Sequence, residues 1–199
     1  MRETRLRLAQ FCQLIGEDRG SVLAIISRGS APFRKEMPKG AEPSRQRTYD
    51  GADLLAWCLF SRLRAGGMVA RRAGESVLLS RAVPGFFAAT PPDHSDLNLI
   101  VGEKLRRRGS GNDRDARLGR EGQEYRLPFA EHGDSDHVRA LLESESGGYG
   151  AENRLGETRL GLVTLTVVPI LPCFHAIEAQ LEKEGFAMRG ASIIHHEDL

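Results

Sequence analysis

Long apolar runs are missing from this sequence. No stretch of about twenty apolar residues occurs, the length a helix needs to cross a bilayer, and Met1-Arg2-Glu3-Thr4-Arg5 leads into an amphipathic segment instead of the apolar core of a secretory signal. A soluble, cytoplasmic protein without membrane contact is expected. Cysteine is scarce as well. Cys12, Cys58 and Cys173 are odd in number and far apart, and Cys12 and Cys58 have apolar neighbours, so the three read as small core residues, not as a disulfide framework. The histidines have no Cys or His companions at zinc-ligand offsets, which argues against a metal. Catalytic signatures are also absent: there is no Gly-x-Ser-x-Gly, no Walker loop and no His-Glu-x-x-His. Gly147-Gly148-Tyr149-Gly150 lacks the lysine and the strand-to-helix setting of a phosphate cradle. His132, Asp134, Asp136 and His137 form a polar cluster in a charged segment where solvation accounts for them. The expectation is a non-enzymatic protein with neither cofactor nor metal.

What the chain does have is an uneven distribution of charge. The 199 residues carry a net charge of only +1. Residues 1–72 nevertheless hold 14 Lys and Arg against 7 Asp and Glu, and residues 73–199 hold 14 against 20. A basic head on an acidic body suits a protein whose head meets a polyanion.

The apolar positions Leu6, Leu8, Ala9, Phe11, Cys12, Leu14 and Ile15 predict a first helix that stops at Gly16. Glu17-Asp18 supplies an acidic cap for a second helix, with Val22, Ile25 and Ile26 on its buried stripe and Gly29 at its end. From Ser30 to Thr48 the chain is rich in Pro, Gly, Arg and Lys, which suits a basic hairpin or wing. Asp50 then caps a strongly apolar helix containing Leu54, Leu55, Trp57, Cys58, Leu59, Phe60 and Leu63, closed by Gly66-Gly67. Beyond Met68, Ser76–Leu79 and Leu97–Val101 read as short strands and 106–123 as a mobile surface loop. Ser135–Glu143 reads as a helix, Ser144–Gly150 as a loop, Leu160–Ile170 as a β-run ended by Pro169 and Pro172, and Phe174–Gly185 as an amphipathic helix. The fold class expected is α+β, with a helix-turn-helix domain over 1–73 and a mixed α+β domain over 74–199.

In a helix-turn-helix the second helix enters the major groove while the first lies across the backbone. Arg19 and Ser21 open the second helix on the side away from Val22, Ile25 and Ile26, and Arg28 closes it. Arg34, Lys35, Lys39, Arg45 and Arg47 of the wing would meet phosphates, the main source of sequence-independent affinity. The pattern Arg47-x-Tyr49-x-x-x-Asp53, followed by Trp57, Phe60, Leu63, Arg64 and Gly67-Met68, resembles the wing exit and following helix of MerR-like and excisionase-like winged helix proteins. Cys12-x-Leu14-Ile15-Gly16, Ser21-Val22, Gly29 and Pro32 match that family's helix-turn-helix. The resemblance covers residues 6 to 68. It implies double-stranded DNA as partner, Arg47 and Tyr49 as backbone-contacting wing residues, and Ser21 as a contact at the start of the recognition helix. The chain departs from the pattern in Glu17, in its longer wing, and in having no heptad helix after Met68, so metal sensing is not implied.

The function expected is a sequence-specific, homodimeric transcriptional regulator whose second half serves self-association or senses an effector of unspecified class. Phage-type DNA-packaging or recombination accessory proteins, and non-catalytic protein-interaction adaptors, are the alternatives. The dimer contact is expected after residue 73, in Leu160–Ile170 and in the helix bearing Phe174, Ile177 and Leu181, with Phe186 just beyond it; these could pack within the domain or across a two-fold axis.

Overall fold

The computed structural model describes residues 3–33, 48–89, 93–107, 123–147 and 158–198. The chain is an α+β protein built around one apolar helix. Helices α1 (Leu8–Ile15) and α2 (Arg19–Ser27) come first, followed by α3 (Gly51–Ala65), α4 (Ala70–Ser80) and α5 (Ala82–Ala88). Strands β1 (Asn98–Arg107) and β2 (Glu124–Gly133) lead to α6 (Ser135–Gly147), then to β3 (Thr158–Pro169) and α7 (Ile170–Lys183). A hairpin of β4 (Phe186–Arg189) and β5 (Ser192–His195) follows.

Helix α3 is the centre of the molecule because its apolar residues leave no polar stripe wide enough to face water. Leu54, Leu55, Ala56, Trp57, Leu59, Phe60 and Leu63 are all buried, and α1, α4, α5 and α7 pack around them. Its start is held by reciprocal capping: the Asp53 N–H donates to Asp50 Oδ1 at 3.1 Å and the Asp50 N–H to Asp53 Oδ2 at 3.3 Å. Asp53, a position shared with the winged-helix pattern, thus has a structural job in the cap.

Strands β1, β2 and β3 form an antiparallel sheet in the order β2-β1-β3, with Asn98 opposite both Gly133 and Pro169. Alternate residues of β1 serve opposite faces. Leu99 and Val101 join the helical core, together with Val168 of β3, while α6 packs on β2 and β3 and buries Leu141.

Three readings from the sequence are corrected. Ser76–Leu79 is not a strand but the second half of α4. Ala73, Ser76, Val77 and Ser80 turn inward at helical spacing, leaving Leu79 74% exposed; the apolar triplet alone concealed that period. Arg106 and Arg107 are not loop but the end of β1, paired with Tyr125 and Glu124. The rest of the expected loop, 108–122, lies outside the described residues. Helix α7 begins at Ile170 and includes Pro172, whose missing N–H falls in the first turn, where no helical partner exists. The expected boundary after residue 73 falls inside α4, and the buried core is continuous across it, from Leu6 through α3 to Leu181 and Ile193.

The two ends of the described chain meet. The Thr4 N–H donates to the Ile193 carbonyl at 2.8 Å and the Gly51 N–H to the Ala191 carbonyl at 3.0 Å. Leu6 and Tyr49 exchange both backbone hydrogen bonds at 2.9 Å. The β4–β5 hairpin, unread in the sequence, therefore clamps the N-terminal segment onto the start of α3.

Candidate nucleic-acid interface

The turn between α1 and α2 is set by Gly16, which takes the left-handed conformation at φ 69°. This lets the Gly16 N–H donate to the Gln13 carbonyl at 3.3 Å and the Glu17 N–H to the Cys12 carbonyl at 3.1 Å, closing α1. Two residues later Asp18 opens α2. Its carboxylate accepts from the Ser21 N–H at 2.9 Å, and bonds from the Ser21 hydroxyl and N–H hold this carboxyl below its ordinary range. The result is two short helices at a fixed angle through a three-residue link.

Helix α2 buries Val22 and half-buries Ile25 and Ile26, the stripe expected from the sequence. Arg19, Ser21 and Arg28 are exposed. Leu23 is exposed at 44% and shares a face with Arg19 and Ser27, at i, i+4 and i+8. The sequence reading missed Leu23, although its offset from Arg19 carried the signal. The Ser21 backbone N–H is the donor that the Asp18 cap takes up.

Tyr49 is corrected. It is 2% exposed. Its ring stacks on Phe11 with centroids 4.2 Å apart and meets Phe33 edge-on at 5.7 Å. Burying an aromatic ring among aromatics outweighs exposing it to a phosphate, so its side chain is part of the core and not of a surface contact. Arg34, Lys35, Lys39, Arg45 and Arg47, the cations expected on a wing, lie outside the described residues.

The polar cluster of the second half does not converge. His132 Nδ1 lies 2.6 Å from the Ser80 carbonyl and ties β2 to α4. Asp134 Oδ1 accepts from the His137 N–H at 2.7 Å at the start of α6, and the His137 ring lies 3.6 Å from Glu131. Among the described residues, no group of three or more His, Cys, Asp or Glu is arranged to hold a metal ion, and no helix is long and apolar enough to cross a membrane. Compared with known protein families and with curated proteins, the chain matches none.

Proposed function

We propose that this protein is a sequence-specific double-stranded-DNA-binding transcriptional regulator that presents α2 to the major groove in the manner of MerR-like winged helix proteins. One observation carries the reading. A capped α2 packs on α1 through Val22 and turns Arg19, Leu23, Ser27 and Arg28 outward, while the chain returning at Tyr49 pairs with Leu6 and runs directly into α3. Arginine is the side chain best suited to a guanine edge, and an exposed leucine suits a thymine methyl. The basic wing supplies phosphate contacts, and the acidic remainder limits binding to bulk DNA.

The test is duplex selection followed by fluorescence anisotropy with the full chain. Arg19→Ala and Arg28→Ala should each weaken binding to the selected site by about 1–3 kcal/mol while changing random-duplex affinity far less. Equal losses on both would make them backbone contacts, and a wild-type chain that selects no duplex would overturn the proposal. Location of the selected site at promoters supports a regulator; location at attachment or packaging sites supports the phage-type alternative.

We place self-association in the second half, as a pair of heads reading two half-sites requires. Phe174 is spent within the chain, packed 5.0 Å from Phe86 and 6.1 Å from Phe87, and Leu181 and Phe186 are buried. Strand β3 remains: it is an edge of its sheet and exposes Val163 and Val167, the arrangement that pairs with a second copy. Light scattering should find a dimer that Val163→Lys with Val167→Lys converts to a monomer; a monomeric wild type would rule out this placement.

A further inference from the structure

Helices α1, α3 and α7 meet around a cavity of about 160 Å³. Its floor is Leu54, Trp57 and Leu181, each no more than 1% exposed. Its walls are the half-buried Leu14 and Ile15 from the last turn of α1 and Ile177 from α7. The space exists because the helices carry small side chains there. Leu54, Trp57, Cys58 and Ser61 fall at i, i+3, i+4 and i+7 on one face of α3, and the last two, like Ala176 on α7, are too short to fill a gap that leucines would close. Two features give the cavity a chemistry. Among the described residues, none that lines it is charged, so an ionic group entering it would leave water without a counter-charge. Trp57, in the floor, carries a buried indole N–H with no hydrogen-bond partner among the described residues.

We propose that this cavity is a binding site for a small uncharged ring compound carrying one oxygen acceptor, of the phenol class. An apolar cavity of about 150 Å³ holds a single benzene ring, so the volume suits one ring. The ring replaces empty space beside Leu54, Ile177 and Leu181 with van der Waals contact. Its oxygen accepts from the Trp57 N–H, which otherwise bears the cost of being buried unpaired. Ser61 and Gln180, both half-buried in the lining, supply acceptors for a hydroxyl proton.

The site joins the two halves of the chain. Leu14 and Ile15 immediately precede the Gly16 turn into α2, whereas Ile177 and Leu181 belong to α7. Gln13 Nε2 donates to Glu184 Oε2 at 3.1 Å, a further tie between α1 and the end of α7. An occupant adds contacts between these helices and is held only by the folded chain, so binding raises stability by mass action. The inference does not depend on DNA binding, because occupancy is read without DNA.

Trp57 is the sole tryptophan of the chain, so its indole N–H gives one resonance of its kind. The experiment titrates phenol into the nitrogen-15-labelled full chain and follows that resonance by heteronuclear NMR. The expected result is a saturable downfield shift with a dissociation constant on the order of 0.1–1 mM, as suits a ligand of this size. Toluene, which lacks the oxygen, should bind about tenfold more weakly, and benzoate, which is charged, more weakly still. Ala176→Phe, at an exposed position of α7, should abolish the shift while leaving the rest of the spectrum dispersed. The absence of a saturable shift in the wild-type chain would overturn the proposal without recourse to any variant. Toluene binding as tightly as phenol would remove the indole N–H from the site, and benzoate doing so would overturn the uncharged class. A folded Ala176→Phe chain that still binds phenol at wild-type affinity would mean that the ring sits elsewhere.

Discussion

Replacing Gly74 with alanine is expected to destabilise the protein by about 1–3 kcal/mol, the cost of forcing an extra carbon into a packed interior. In an exposed helix the same change stabilises by up to about 1 kcal/mol, because alanine loses less backbone entropy. The sign reverses here because α4 crosses the chain leaving α2 at van der Waals distance. A Cβ at position 74 would lie 2.2 Å from the Ser30 carbonyl oxygen and 3.2 Å from that of Ala31, and both are backbone atoms with no rotamer to retreat into. Gly66→Ala is the control, since its Cβ would come no closer than 3.4 Å to the Leu63 carbonyl. Urea midpoints decide the matter. An alanine at 74 as stable as the wild type would mean that α4 is not seated on residues 30 and 31. Because those residues follow directly from α2, Gly74→Ala should also disturb whatever α2 does.

Trp57→Ala should cost about 3–5 kcal/mol, the usual range for emptying a large aromatic site. Trp57 is 1% exposed and joins the rings that fasten α1 and the chain after α2 to α3. It meets Phe11 edge-on at 5.7 Å, stacks on Phe33 at 6.0 Å and tilts against Phe60 at 5.2 Å. Its indole N–H has no hydrogen-bond partner among the described residues, and a buried donor left unpaired carries a penalty of roughly 1–3 kcal/mol. Trp57→Phe should therefore cost much less than loss of volume alone suggests, because it removes that donor along with the second ring. Thermal unfolding followed by circular dichroism measures both variants. A Trp57→Ala midpoint close to the wild type, or a Phe variant as damaged as the Ala variant, would contradict this account of the core.

Local signals account for most of what the sequence disclosed. Gly16, Asp18 and Asp50 announce the end of α1 and the starts of α2 and α3, because a left-handed turn and a capping carboxylate are satisfied within four residues. The apolar surface of α3 likewise declared a central helix. Signals failed where the deciding partner was distant. Nothing near Ser76–Leu79 says that Gly74 must face the Ser30 carbonyl, which fixes α4 as the helix crossing that segment. Tyr49, matched to a backbone-contacting wing residue by its place in a motif, goes inward because Phe11 stacks on it and Phe33 meets it edge-on.

Helix α3 and the chain ends divide the two kinds of knowledge most clearly. Sequence alone determined that Cys58 lies on the apolar helix α3, through its spacing among leucines and aromatics, and that the side of α2 away from Val22 carries Arg19 and Arg28. Tertiary structure alone decided that α7 returns to pack against α3, and that β5 pairs with Thr4 to bring the two ends together. The reason is range: caps and helical periods depend on neighbours a few residues away, whereas the seat of α7 on α3 or a bridge between chain ends depends on how whole elements pack. That packing is settled by burial summed over the entire core.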